Sequence, residues 1–395
     1  MRILYHHRTA SRDGQEVHIS ELIGALRGLG HEVRVVSPGG DESDAGTGEM
    51  GGHRGGMARL RALIPDALLP LAAYGYEVVF SGRVAREAAA LRADFLYERH
   101  ALRNRVGARA ARRLGIPLLL EVNAPLAREE AAEGRLRNLD REVRREVGTL
   151  GEADAVLVVT EVLKRILVQD GVPERKIHVI QNGIAPDQFL TDRSDRVRKE
   201  LGLEGRLVLG FVGFPRPWHG LERVVKSMAA AADGPLLDAV LLIGGEGPAL
   251  EPIRRLAASL GIRDRVISGG VLNRAEIPGF IDSFDIALQP HATAYASPLK
   301  LFEYLARGVA VIAPRQENLE EVLTHGDSAV LFDPSDANSF SRELVRLAED
   351  RALRERVGRG GRRRVIEGGF TWTRNAERIV ELAKSLLEDR KEAAR

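Results

Sequence analysis

Short apolar runs recur along this chain, and between them apolar residues return at helical spacing. A run bounded in this way reads as a strand of a parallel sheet, buried on both faces by the helices that cross over it. The first series is Ile3–Tyr5, Val33–Val36, Phe95–Tyr97, Ile116–Val122, Ala155–Val159 and Ile177–Ile180. The second is Leu207–Val212, Ala239–Ile243, Arg265–Ile267, Ile286–Leu288, Val309–Ala313 and Val330–Phe332. Asp192–Leu203 between them is polar and charged, the expected linker. Two strand–helix series with a break near residue 190 predict an α/β protein of two Rossmann-like, doubly wound domains facing a central cleft. The expected bounds are 1–190 and 191–371, followed by an amphipathic helix over 372–395 with Ile379, Val380, Ala383, Leu386 and Leu387 on one face.

Other stretches read less regularly. Gly39–Gly56 is rich in Gly, Asp and Glu and is expected as a surface loop. Met57–Leu91 has a helical pattern with Pro65 and Pro70 at breaks or starts. One long charged helix is expected after Pro125, running through Arg145.

Composition excludes several classes. The 395 residues suit two domains, and 44% hydrophobic with 29% charged residues is ordinary for a globular protein. With no cysteine there is no disulfide, thiolate metal site or cysteine nucleophile. A net charge of +2 and few aromatic residues argue against nucleic acid as a partner. No apolar run reaches the roughly 20 residues that span a bilayer. Met1–Tyr5 looks like a first strand, not a secretion signal, so a cytoplasmic location is expected.

Several loops carry candidate chemistry. In Ser297-Pro298-Leu299-Lys300, Ser297 suits a helix N-cap, Pro298 the first helical position, and Gly308 the residue just past the helix end. The amides of Leu299, Lys300 and Leu301 would then open toward an anion, with the charge of Lys300 beside them. Glu303, one turn further, can accept two sugar hydroxyls, as a nucleotide's ribose would require; Lys300 and Glu303 read equally as an i,i+3 ion pair on an ordinary capped helix. The loop Gly213–Gly220 can place Arg216 and His219 on phosphates, or can be a Pro-rich turn packed by Trp218. Gly14 opens a helix where a phosphate could approach, or is a plain turn glycine. Asn123 follows a central strand, where ligands usually meet such sheets. Arg103, Arg105, Arg109, Arg112 and Arg113 form a solvated basic helix face, or a site for an anionic acceptor or a membrane surface.

In order along the chain come Gly30-His-Glu-Val33, Asn182-Gly183-Ile184 with Phe189, Phe211-Val-Gly213, Trp218-His-Gly220 and Gly245-Glu-Gly-Pro248. Asp264-Arg-Val266, Phe284-Asp-Ile286, Ser297-Pro-Leu-Lys300 and Glu303-Tyr-Leu-Ala-Arg-Gly308 follow. With these signposts nearly the whole chain resembles a GT-B fold glycosyltransferase of family GT4 (glycosyltransferase group 1), in a subgroup with an SPLK-type donor loop.

The resemblance implies a retaining, metal-independent enzyme. It would move a sugar from a nucleotide-sugar, with a UDP- or GDP-sugar the expected donor, to an acceptor hydroxyl in glycan, polysaccharide or glycolipid synthesis, with no other cofactor. Glu303 matches the second glutamate of the family's E-x7-E motif, which grips the ribose. Leu299 and Lys300 match the helix start that holds the diphosphate, with Ser297, Pro298 and Gly213 around it. Val271 and Leu272 sit where backbone meets the base, and Gly14 matches the glycine loop that closes over the diphosphate. Lys300, His219 and Asn123 are the expected catalytic residues. Tyr295 stands where the first motif glutamate would fall, His219 where the family has a phosphate lysine, Phe214 where it has an arginine, and Asn123 where a histidine is common. His219 would then be partly protonated near neutrality, and the acceptor would be lipid-linked or anionic, with peripheral contact at the inner membrane face. The final helix is expected to return to the N-terminal domain. A nucleotide-sugar epimerase of the same fold and an inactive nucleotide-sugar-binding subunit are the alternatives; no G-x-G-x-x-G supports a nicotinamide dehydrogenase.

Overall fold

A computed structural model describes residues 1–9, 14–37, 69–136, 138–231 and 233–393, without the side chains of 69–76. The expected loop over Gly39–Gly56 and the part of the expected helix before residue 69 lie outside the described residues. Two compact units emerge. One holds the described residues up to Gln181 together with those from Trp372 onward, and the other holds Asn182–Thr371.

The first unit is built on a parallel sheet of β1 (Arg2–His6), β2 (Glu32–Val36), β3 (Phe95–Arg99), β4 (Leu118–Val122), β5 (Ala155–Val158) and β6 (Ile177–Val179). Their spatial order is β2-β1-β3-β4-β5-β6. Parallel pairing demands crossovers, and helices supply them. The Gly14–Gly28 helix buries Ile19, Leu22, Ile23 and Leu26 against the sheet, and the 22-residue Trp372–Ala393 helix packs against it. The helix expected through Arg145 is in fact two, Leu126–Ala132 and Leu139–Gly151. Asn138 caps the second by accepting from the Arg141 amide at 2.9 Å, a break that helical spacing alone does not reveal.

The second unit repeats the plan with β7 (Val208–Val212), β8 (Val240–Gly244), β9 (Val266–Ser268), β10 (Ile286–Leu288), β11 (Ala310–Pro314) and β12 (Val330–Phe332). Their order is β12-β11-β10-β7-β8-β9, again all parallel. Reversal of strand order around the central strands leaves a crevice at their C-terminal ends, the usual ligand position in such sheets. The apolar cores on the two faces of this sheet are made by side chains such as Phe302, Tyr304 and Leu305 on one side and Phe211, Ile243 and Phe340 on the other. The stretch read as a linker holds the Arg196–Glu200 helix, and Arg193 and Arg198 bind back to this unit. No described helix is long and apolar enough to cross a membrane.

Candidate active site

In the second unit the candidate site forms where β7 and β10 end. Gly213 follows β7 with a φ of 120°, a left-handed conformation that glycine adopts without strain, and its open α-carbon faces the Lys300 ammonium. Lys300 lies on the eight-residue Leu299–Ala306 helix, with Nζ 3.8 Å from the centroid of the Phe211 ring. Tyr304, a turn further on and fully buried, accepts from the Val212 amide at 2.9 Å, which fixes the helix to the end of β7. Burial pulls the Lys300 ammonium down to about 7, against the opposing pull of Glu303.

The helix start differs from expectation. Pro298, not Ser297, is the N-cap, and Leu299 is the first helical residue. Ser297 sits one position too early for its hydroxyl to cap. Its carbonyl accepts from Asn182 Nδ2 at 2.6 Å, and its buried Oγ has no partner among the described residues. The Leu301 amide is likewise not open, since it bonds Pro298 O at 3.1 Å. Leu299 and Lys300 remain as first-turn donors without an intrahelical acceptor. Asn318 holds the loop before the helix by donating to Thr293 O at 3.1 Å and Ala296 O at 2.7 Å. Gly308, with a φ of 66°, ends the helix as expected.

His219 closes the short turn Pro217–His219, its ring 5.1 Å from that of Phe211. Its Nδ1 accepts from the Arg216 amide at 2.9 Å, which puts the ring proton on Nε2. Burial, then the charges of Lys300, Arg216 and His291, push His219 down to about 2. The expectation of a partly protonated histidine is therefore corrected: His219 is a neutral donor, because burial and neighbouring cations both disfavour a charge on its ring. Arg216 stacks its guanidinium 5.0 Å from the Phe214 ring and 4.9 Å from Trp218, both exposed.

Glu303 is buried and paired with Arg274, a residue that sequence reasoning missed. The partner is not Lys300, so the simple i,i+3 pair fails. Arg274 comes from the loop after β9, and its guanidinium also lies 4.7 Å from the Phe189 ring. In the same loop Val271 is exposed, whereas the Leu272 side chain enters the apolar core. Lys300, Gly213, His219, Arg216 and Glu303 thus gather at one end of this sheet. The result is a crevice rich in cations and N–H donors, in which the Glu303 carboxylate is already charge-paired. Such a surface favours an anion. Among the described residues no group of three His, Asp or Glu is placed to hold a metal ion.

Asn123 and Gly14 belong to the first unit. Gly14 is the first residue of its helix. Asn123 donates to Glu121, a buried carboxylate that also receives Arg99 and, at 2.8 Å, the Tyr97 hydroxyl. Burial raises the Glu121 carboxyl, but His18, Arg99 and these hydrogen bonds outweigh it and hold it below its ordinary value. Beside it, buried Glu98 binds His6 Nδ1 at 2.6 Å and Asn104 at 2.8 Å. Glu98 and Arg99 in β3 and Glu121 in β4, inside strands that are mostly apolar, were the available signal for this cluster, since a buried charge needs partners. The basic helix face is largely spent on ion pairs: Arg103 with Glu142, Arg105 and Arg112 with Glu152, and Arg109 with Glu77.

Residues 12–188 match the family model described as Glycosyltransferase Family 4, and residues 193–364 match that described as Glycosyl transferases group 1. The chain therefore belongs to the family-4, group-1 glycosyltransferases of the GT-B fold. The D-inositol 3-phosphate glycosyltransferase of Acidothermus cellulolyticus is 28% identical over 315 residues, 76% of this chain and 69% of its own. A GDP-mannose-dependent alpha-(1-6)-phosphatidylinositol monomannoside mannosyltransferase of Mycolicibacterium smegmatis is 24% identical over 247 residues, 60% of this chain and 64% of its own. Among solved structures, HepE of Anabaena in complex with UDP-glucose superposes with a TM-score of 0.74 at 18% identity, over 98% of this chain and 100% of that one.

Proposed function

We propose that this glycosyltransferase takes its sugar from a nucleotide-sugar and transfers it with retention of anomeric configuration, without a metal. The observation that carries the reading is the pairing of Lys300 with the amides that open the Leu299–Ala306 helix, beside an open Gly213 and one turn from buried Glu303. A diphosphate leaving group needs charge stabilisation as its bond to the anomeric carbon breaks. Here Lys300, the first-turn amides and the Nε2–H of His219 supply it. Arg274 pairs with Glu303 and orients it, so that the carboxylate can accept ribose hydroxyls. Arg216, stacked on exposed aromatic rings, reinforces the cationic rim.

The names of two relatives specify phosphorylated inositol acceptors, which supports an anionic polyol as the acceptor class. The acceptor hydroxyl attacks the anomeric carbon on the face the diphosphate leaves, and the departing diphosphate takes up the hydroxyl proton. Asn123, positioned by Glu121, is the first-unit residue this reading assigns to catalysis.

Incubation with UDP- and GDP-sugars and inositol phosphate, without divalent ions and with chelator present, tests this. The expected result is release of nucleoside diphosphate and an axial product linkage, read by proton NMR coupling, both lost in Lys300→Ala. An inverted linkage, or turnover abolished by chelator, would contradict the reading. Release of a changed nucleotide-sugar without acceptor would favour the epimerase.

A further inference from the structure

The opposite ends of the second sheet's strands carry a second basic groove, of about 460 Å³. Leu207, Asp285 and Ala310, at the beginnings of β7, β10 and β11, form its floor, so it lies at the other end of the strands from Lys300. Gly308 and Val309, just past the end of the Lys300 helix, also line it. Five arginines surround the groove: Arg193, Arg198, Arg206, Arg351 and Arg354. The acids facing them are Asp285, which takes Arg198 at 2.5 Å, and Glu355, which takes Arg351 at 2.8 Å. Arg193 is also paired, at 3.5 Å, with Asp282 just outside the groove, so five positive charges meet three negative ones.

Part of this chemistry is structural. Arg354 donates to Leu347 O and Ala348 O, and Arg206 donates to Asp238 O. These bonds orient the guanidinium groups without neutralising them, because carbonyls carry no charge. In addition Arg198 Nε is buried and has no hydrogen-bond partner among the described residues. A buried donor left unsatisfied costs free energy, and that cost is recovered when a ligand oxygen meets it. Planar guanidinium forks at several angles match the oxygens of phosphate better than any neutral ligand. The volume suits a small organic molecule rather than a bare ion.

We propose that this groove is a second anion site, distinct from the candidate active site, which takes a phosphorylated small molecule. Arg206 and Arg351 supply exposed charge at its rim, and Arg198 supplies the buried donor.

The test is protection of arginines from phenylglyoxal, mapped by mass spectrometry on the full chain, with pyrophosphate as probe. Residue-level mapping separates this groove from the candidate active site, whose own arginines are Arg216 and Arg274. Pyrophosphate should slow modification of Arg206 and Arg351 by about tenfold, the scale of one charge-assisted contact. Arg315 and Arg255, exposed elsewhere on the unit, should react at unchanged rates. A double variant, Arg206→Gln with Arg351→Gln, touches only rim residues and should abolish protection of Arg193 while leaving thermal unfolding close to wild type. Equal rates with and without pyrophosphate would overturn the proposal. So would protection reproduced by sodium chloride at matched ionic strength, or protection of Arg193 that survives the double variant.

Discussion

Lys300 is held where its own charge costs free energy. Burial brings its titration to about 7, so an approaching diphosphate both restores the charge and gains from it. Below pH 7 the ammonium is ready, and above it binding must include proton uptake. Nucleoside diphosphate affinity, measured by calorimetry, should therefore fall between pH 6 and 9, and Lys300→Arg should flatten that slope. Without ligand the sign reverses. Between about 7 and the ordinary lysine range the unfolded chain keeps a proton that the folded chain has lost, so the lysine's contribution to stability rises with pH. Lys300→Met should accordingly raise the melting temperature more at pH 6 than at pH 9. His219 behaves differently, since a ring pushed to about 2 does not titrate in the working range. His219→Gln, which keeps an N–H donor, should lower turnover without moving the pH profile; a shift of the acid limb on substitution would contradict the neutral assignment. Neither protonation state was legible in the sequence, because both depend on which cations the fold brings together.

At the scale of elements, every expected strand is present, and the reason is physical. Strands of a parallel sheet are covered on both faces, so they appear as plain apolar runs that need no knowledge of their partners. Helix boundaries were less legible. Ser297 looks like a cap, yet the backbone turns helical one residue later because Asn182 and Asn318, distant in sequence, hold the preceding loop. The Leu299–Ala306 helix is in turn fixed by Tyr304, whose hydroxyl is the acceptor for the Val212 amide. Tyr304→Phe would leave that buried amide without its acceptor, at a cost of about 1–3 kcal/mol in urea unfolding. The charges inside β3 and β4 pose a comparable risk. Glu121→Ala would strand buried Arg99 and should destabilise by about 3–5 kcal/mol, while Asn123→Ala, at the half-buried end of the same cluster, should cost far less.

Across the whole molecule the chemistry is distributed by topology rather than by local sequence. Arg274 and Glu303 pair across 29 positions, and neither residue type announces the other. Arg307, almost fully buried, gathers Asp282, Phe189 O, Thr191 O and Asp192 O around the C-terminal end of the Lys300 helix. That arginine was visible in the sequence only as part of a family signpost, and its structural task follows from the fold. The central claim is that the crevice around Lys300 and Glu303 is the nucleotide-sugar site. It is tested most directly by isothermal calorimetry of UDP and GDP against wild type, Lys300→Ala and Glu303→Gln. One nucleotide should bind the wild type, with affinity at least about tenfold weaker in each variant, the scale of a lost charge-assisted contact. Binding that neither substitution weakens would place the nucleotide elsewhere and contradict the account.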